Sequence, residues 1–111
     1  MLTDTMTLDE HGLLRVGRSW VALSDTEWRL VRVLMDHCGE VVPLDAVLRA
    51  TWPDRTATAR MLSVAMGRAR ARIAPLGVVI TTVRGQGFVL DRRRADDGTP
   101  SSVDGGGADP T

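Results

Sequence analysis

RMLSVAMGRARARI, residues 60–73, followed by TVRGQGFVL, residues 82–90, decides how this chain folds. At 100° per residue Leu62, Met66, Ala69 and Ile73 fall within about 60° of one another, a narrow apolar stripe for one core contact. Arg60, Val64, Gly67, Arg68 and Ala71 lie opposite. Small side chains let a helix approach a surface closely, and arginines beside them can reach base edges or phosphates. Gly67 costs a helix about 1 kcal/mol relative to alanine, which is consistent with a need for close approach on that face. Arg70 and Arg72 flank it, placed to grip phosphates on either side.

Upstream, WPDRTAT (residues 52–58) breaks the pattern, and a shorter apolar repeat, Leu44, Val47, Leu48 and Trp52, predicts a second helix from about Pro43 to Trp52. Proline fits a first helical turn. Further upstream Ser24-Asp-Thr-Glu27 has the spacing of a capping box opening a helix. Trp28, Leu30, Val31, Val33, Leu34 and Met35 give that helix a broad apolar arc. Asp25, Arg29, Arg32 and Asp36 lie on its other side, and Gly39 is its stop. The third helix spans about Thr58 to Ala74, ended by Pro75 and Gly77. Three strand-like segments, 6–10, 13–16 and 19–23, precede the helices; Val78 to Val83 and Phe88 to Leu90 form a hairpin around Arg84-Gly-Gln-Gly87. The order is three strands, three helices, then a hairpin: an α+β domain with a helix-turn-helix inside it.

The remaining composition limits the alternatives. One domain is expected in 111 residues. No run approaches the ~18 apolar residues of a membrane span, and no basic-then-apolar N-terminus suggests secretion, so a cytoplasmic protein is expected. Cys38 is the single cysteine and His11 and His37 the only histidines, so neither a disulfide framework nor a metal site is expected. Cys38, at the end of the first helix, reads as structural. The three tryptophans, Trp20, Trp28 and Trp52, read as core-filling. No nucleophile and base come together in the pattern, so neither catalysis nor a cofactor is expected.

Net charge is zero, yet it is unevenly placed. All fourteen cations are arginine. Residues 1–48 carry net −4, residues 49–94 net +8 and residues 95–111 net −4. The basic stretch contains the third helix and the hairpin, which points to a polyanion partner. The segment after Arg92-Arg93-Arg94 is mostly Gly, Ser, Pro and Asp, with two alanines, two threonines and one valine. This predicts a folded unit over 1–92 and a disordered acidic tail over 93–111, which keeps the protein soluble or screens the basic helix.

Four segments in order, LSDTEWRLVRVL (23–34), VVPLDAVLRATW (41–52), RMLSVAMGRARARI (60–73) and TVRGQGFVL (82–90), resemble the winged helix-turn-helix DNA-binding domain of OmpR/PhoB-type response regulators. The likeness covers about residues 6–91. It implies a four-stranded N-terminal sheet, three helices and a C-terminal wing, with the third helix in the major groove of double-stranded DNA and the wing along the minor groove. By position it implies that Arg60 and Arg70 contact phosphate, that Arg68 reads bases, and that Thr82 and Arg84 meet the backbone and minor groove. Many members have histidine where this chain has Ala65, a polar or basic residue at Gly67 and threonine at Met61, which thins the reading face. The resemblance also implies head-to-tail homodimers on direct repeats, and a short loop from Trp52 to Arg60 at the place where the family can touch RNA polymerase. Too few residues precede the first strand for a receiver domain, so a stand-alone regulator at the nucleoid is expected. Two other uses of the fold stay open: a protein-docking module, and an architectural DNA binder of low specificity.

Overall fold

The computed structural model describes residues 5–92. The expected acidic tail, with Arg93 and Arg94, lies outside them. Three short strands open the chain: β1 (Met6–Leu8), β2 (Leu13–Val16) and β3 (Ser19–Ala22), paired antiparallel in the order β1-β2-β3. Among the described residues this sheet has three strands, not the four that the resemblance implies. Its alternation is clear in β2, where Leu14 and Val16 are buried and Arg15 is exposed. Trp20 pairs with Arg15 across β2 and β3 and so takes the outer face; it is 61% exposed. The expectation that Trp20 fills the core is therefore corrected. The inward residue of β3 is Val21, opposite Leu14.

The helix α1 (Asp25–Met35) begins at the expected capping box. The Glu27 amide donates to Ser24 Oγ at 3.2 Å, and the Ser24 amide donates to Glu27 Oε1 at 2.9 Å. Such a cap contributes about 1 kcal/mol. Leu30, Val31 and Leu34 have no exposure and form the centre of the core. Trp28 is half-buried; its Nε1 donates to the Asp9 carbonyl at 2.8 Å, tying α1 to the first sheet, and the Arg32 guanidinium sits 5.1 Å from its ring centroid. Asp9 itself accepts from the amides of His11 and Leu13, and the Leu13 bond chiefly holds its carboxyl below the ordinary aspartate value. Beyond α1 the chain turns through Gly39, at φ +83°, whose amide donates to the Leu90 carbonyl at 3.0 Å.

A two-residue strand, β4 (Val42–Pro43), leads into α2 (Leu44–Thr51), for which Pro43 is the N-cap. The helix α3 (Ala59–Ile73) is capped by Thr58, whose Oγ1 accepts from the Met61 amide at 3.1 Å. A 3-10 turn (Ala74–Leu76) and Gly77, left-handed at φ +78°, lead into β5 (Val78–Val83), and β6 (Gly87–Arg92) returns antiparallel to it. The second sheet has the order β4-β6-β5. The β4 pairing, Val42 with Phe88 and Pro43 with Gly87, adds a third strand to the expected hairpin. The predicted stripe of α3 is buried in full: Leu62, Met66, Ala69 and Ile73 are each at most 4% exposed. They pack with Leu30, Val31, Leu34, Val47, Val78, Ile80 and Leu90 into one core. No helix among the described residues is long and apolar enough to cross a membrane.

Candidate nucleic-acid interface

The core stripe fixes what α3 presents outward. With Leu62, Met66, Ala69 and Ile73 facing in, Arg60, Val64, Gly67, Arg68 and Ala71 face solvent. Val64 is 47% exposed, unusual for valine. A Cβ added at Gly67 meets nothing within 4 Å, so the backbone there is bare to the outside. Ala65 lies elsewhere: it is 6% exposed, in the wall of the core. Its smallness therefore subtracts less from the reading face than the sequence suggests.

Arg60, Val64 and Arg68 also rim a groove of about 500 Å³ between the start of α1, the end of α2 and the start of α3. Ser24, Thr26 and Glu27 form one wall, and Trp52, Met61 and Ala65 give it an apolar floor. Trp52, the C-cap of α2, is half-buried there. Arg60, Arg68 and Arg84 have no ion-pair or hydrogen-bond partner among the described residues. Arg84 stands exposed at the wing tip, beside Gly85 at φ +75°, where the Gln86 amide donates to the Val83 carbonyl at 2.9 Å.

The other three candidates are engaged within the domain. Arg70 is half-buried; its Nε donates to the Ile80 carbonyl at 3.0 Å and its Nη2 to Thr82 Oγ1 at 2.8 Å. Burial alone lowers its pKa. Arg72 places its Nε 3.4 Å from Glu27 Oε1, a carboxylate only 4% exposed. Glu27 thus serves two partners, the cap of α1 and the last turn of α3. Its role in the cap is legible from the Ser24-Asp-Thr-Glu27 spacing. Its link to Arg72 has no local signature, because the two are distant in sequence. Cys38 is exposed, yet its thiol is engaged: it donates to the Leu90 carbonyl at 3.5 Å, and partial desolvation followed by the charge of Asp91 pushes its pKa up. A raised thiol pKa lowers reactivity, in keeping with the structural reading. No three metal-binding side chains come together among the described residues.

Comparison with known proteins places this arrangement. The family described as "Transcriptional regulatory protein, C terminal" matches residues 17–90, from the turn before β3 to Leu90 in β6. The chain belongs to this family. Its members of OmpR/PhoB type are the winged helix DNA-binding domains of transcriptional regulators. The chain is 34% identical over 76 residues to the two-component response regulator PhoP of Pseudomonas aeruginosa, covering 66% of this chain and 34% of the relative. It is 32% identical over 83 residues to the virulence transcriptional regulatory protein PhoP of Salmonella typhimurium, covering 72% and 37%. It therefore spans about a third of the length of these curated relatives. Among solved structures, the C-terminal domain of the nisin resistance regulator NsrR, a lantibiotic response regulator, superposes with TM-score 0.69 at 35% identity, covering 80% of this chain and 94% of that one. The Klebsiella pneumoniae RstA DNA-binding domain, in complex with the RstA box, gives TM-score 0.65 at 25% identity, covering 82% and 95%.

The family fold explains the distribution of the arginines. In this winged helix arrangement α3 and the β5–β6 wing lie side by side. Of the arginines on α3 and the wing, Arg60, Arg68 and Arg84 are partnerless among the described residues, while Arg70 and Arg72 bind α3 to β5 and to α1.

Proposed function

We propose that this domain regulates transcription by binding duplex DNA, with α3 in the major groove and the β5–β6 wing at the adjacent minor groove. The observation that supports it is the set of exposed, partnerless arginines, Arg60, Arg68 and Arg84, spread along one helix and its neighbouring wing tip. A protein surface ordinarily interleaves its charges with opposite ones; an unneutralised row is the footprint of a polyanion. In this reading Arg60 meets phosphate at the start of α3, Val64 and Gly67 lie against the groove, Arg68 reads a base edge and Arg84 enters the minor groove. Thr82, exposed on β5, meets the backbone. Arginine donating two bonds to guanine is the commonest specific contact. Two copies on direct repeats would double a short half-site, and the exposed loop 53–58 is where contact with RNA polymerase would fall.

Selection of bound duplexes from a random-sequence pool at two salt concentrations tests the reading. A motif of two direct repeats about one helical turn apart is expected. With about 6 phosphates neutralised, log K should fall with log salt at a slope of about −5. Salt-sensitive retention without a motif would replace this reading with architectural coating, and no retention at low salt would put protein docking in its place.

Gly67 offers a test within a single residue. Alanine meets no obstacle there and suits a helix better, so Gly67→Ala should stabilise the domain by about 1 kcal/mol. If α3 approaches DNA closely, the same methyl should weaken binding to the selected duplex. A melting temperature that rises while affinity stays constant would show that the glycine serves no contact.

A further inference from the structure

We propose that Arg70 is a positioning residue: it fixes the wing against α3 and sets the Thr82 hydroxyl as a DNA-facing donor. This rests on the DNA-binding reading above and names how two elements of that site are held together.

The sheet order β4-β6-β5 leaves one side of β5 without a strand partner. Carbonyls on such an edge need another donor or water. At Ile80 the donor is Arg70 Nε, at 3.0 Å. Two residues on, Arg70 Nη2 donates to Thr82 Oγ1 at 2.8 Å. One rigid guanidinium therefore spans two successive outward positions of the edge strand from a helix ten residues earlier, a geometry the planar fork supports and a lysine ammonium does not. Arg70 is half-buried, as a clamp between helix and strand should be, while Thr82 is exposed.

The bond to Thr82 has a chemical consequence. A threonine hydroxyl has one proton and accepts through its oxygen lone pairs. With a cationic N–H donating to that oxygen, the hydroxyl proton is left for an outside acceptor, and the bond it makes is strengthened by polarisation. The outside acceptor, in the proposed complex, is a phosphate oxygen. Arg70 then contributes to DNA affinity through Thr82 and the angle of the wing, its Nε and Nη2 donors being used inside the domain.

This differs measurably from a direct arginine–phosphate contact. The test uses the full chain, the duplex recovered by selection, and the variants Arg70→Ala, Arg70→Lys, Thr82→Val and Arg70→Ala/Thr82→Val. If Arg70 acts through Thr82, each single variant weakens binding by about tenfold and the double variant loses little more, because both remove one interaction. Lysine does not rescue, and the salt slope stays at its parent value. If Arg70 grips phosphate itself, the losses multiply, lysine restores most of the affinity, and the slope becomes shallower by about 0.9; that result overturns the proposal while leaving the DNA-binding reading intact. Amide hydrogen exchange of the free chain tests the clamp without DNA: Arg70→Lys should speed exchange in β5 and at the wing tip while the core of α1 stays protected. Unchanged exchange in the wing would overturn the clamp even if every duplex bound as expected. Parent protein that binds no duplex would instead refute the DNA-binding reading and the DNA-facing role of Thr82 together.

Discussion

Gly87→Ala should lower the melting temperature by about 15 °C, the largest single-residue effect expected outside the centre of the core. Gly87 opens β6 and faces both neighbours, Val83 of β5 and Pro43 of β4. A Cβ there would overlap the Val42 carbonyl oxygen and stand 2.7 Å from the Val42 carbonyl carbon and 2.9 Å from Pro43 Cα. All three obstacles are backbone, so no rotamer change relieves them. Either β4 leaves the sheet, exposing Val42, which is 3% exposed, or the wing shifts. Because Pro43 is also the N-cap of α2, the displacement reaches the helix-turn-helix. Overpacking against a rigid wall costs about 1–3 kcal/mol, and about 3 kcal/mol is expected here; for a domain of this size each kcal/mol moves the midpoint by about 4–8 °C. Gly85→Ala is the internal control. Its φ of +75° is uncomfortable for alanine, but nothing lies within 4 Å of the added Cβ, so about 1 kcal/mol is expected from the backbone alone. Thermal melts followed by circular dichroism decide between them: equal losses at the two sites would refute the steric account of Gly87.

That contrast also shows what local pattern can and cannot reveal. Both glycines occur in one turn motif, R-G-Q-G, and their neighbours in sequence look alike. Only the arrival of β4, a two-residue strand far upstream, makes Gly87 tight. The helices were legible because their information is local. The Ser24–Glu27 cap, the four-residue stripe of α3 and the proline and glycine stops each act within a turn or two, and the structure places α2, α3 and the start of α1 within a residue or two of where those signals put them; α1 itself ends at Met35, three residues before the expected end at Cys38. Trp20 shows the opposite case. Its size suggests the core, but its face is set by pairing with Arg15. The outward face of α3 followed from its inward one, so Arg60, Val64, Gly67 and Arg68 were legible as a group. The engagements of Arg70 with Ile80 and Thr82, and of Arg72 with Glu27, were not. They depend on the edge position of β5 and the burial of Glu27, which only the assembled fold defines.

The sorting of arginines into partnerless and engaged sets leads to the second large effect. The triple variant Arg60→Ala/Arg68→Ala/Arg84→Ala should bind the selected duplex about a thousandfold more weakly, at nearly unchanged stability. The three side chains are exposed and have no partner among the described residues, so their removal leaves no buried group unsatisfied; surface changes of this kind fall within about 0.5 kcal/mol. Their loss in binding is another matter. At about 1.4 kcal/mol apiece, each contact is worth tenfold, and sites well separated on DNA add. The single variants divide the roles. Arg60→Ala and Arg84→Ala should each flatten the salt slope by about 0.9 and weaken all duplexes alike if Arg84 acts mainly through charge. Arg68→Ala should also erase about 1–3 kcal/mol of preference at one base pair. Fluorescence anisotropy over a salt series, on the selected duplex and on one altered at that base pair, separates charge from readout. A triple variant that stays within tenfold of the parent would take α3 and the wing tip out of the DNA interface. In that event DNA is held by another face of the domain, and a pull-down that the same variant abolishes would assign the arginine row to an acidic protein partner.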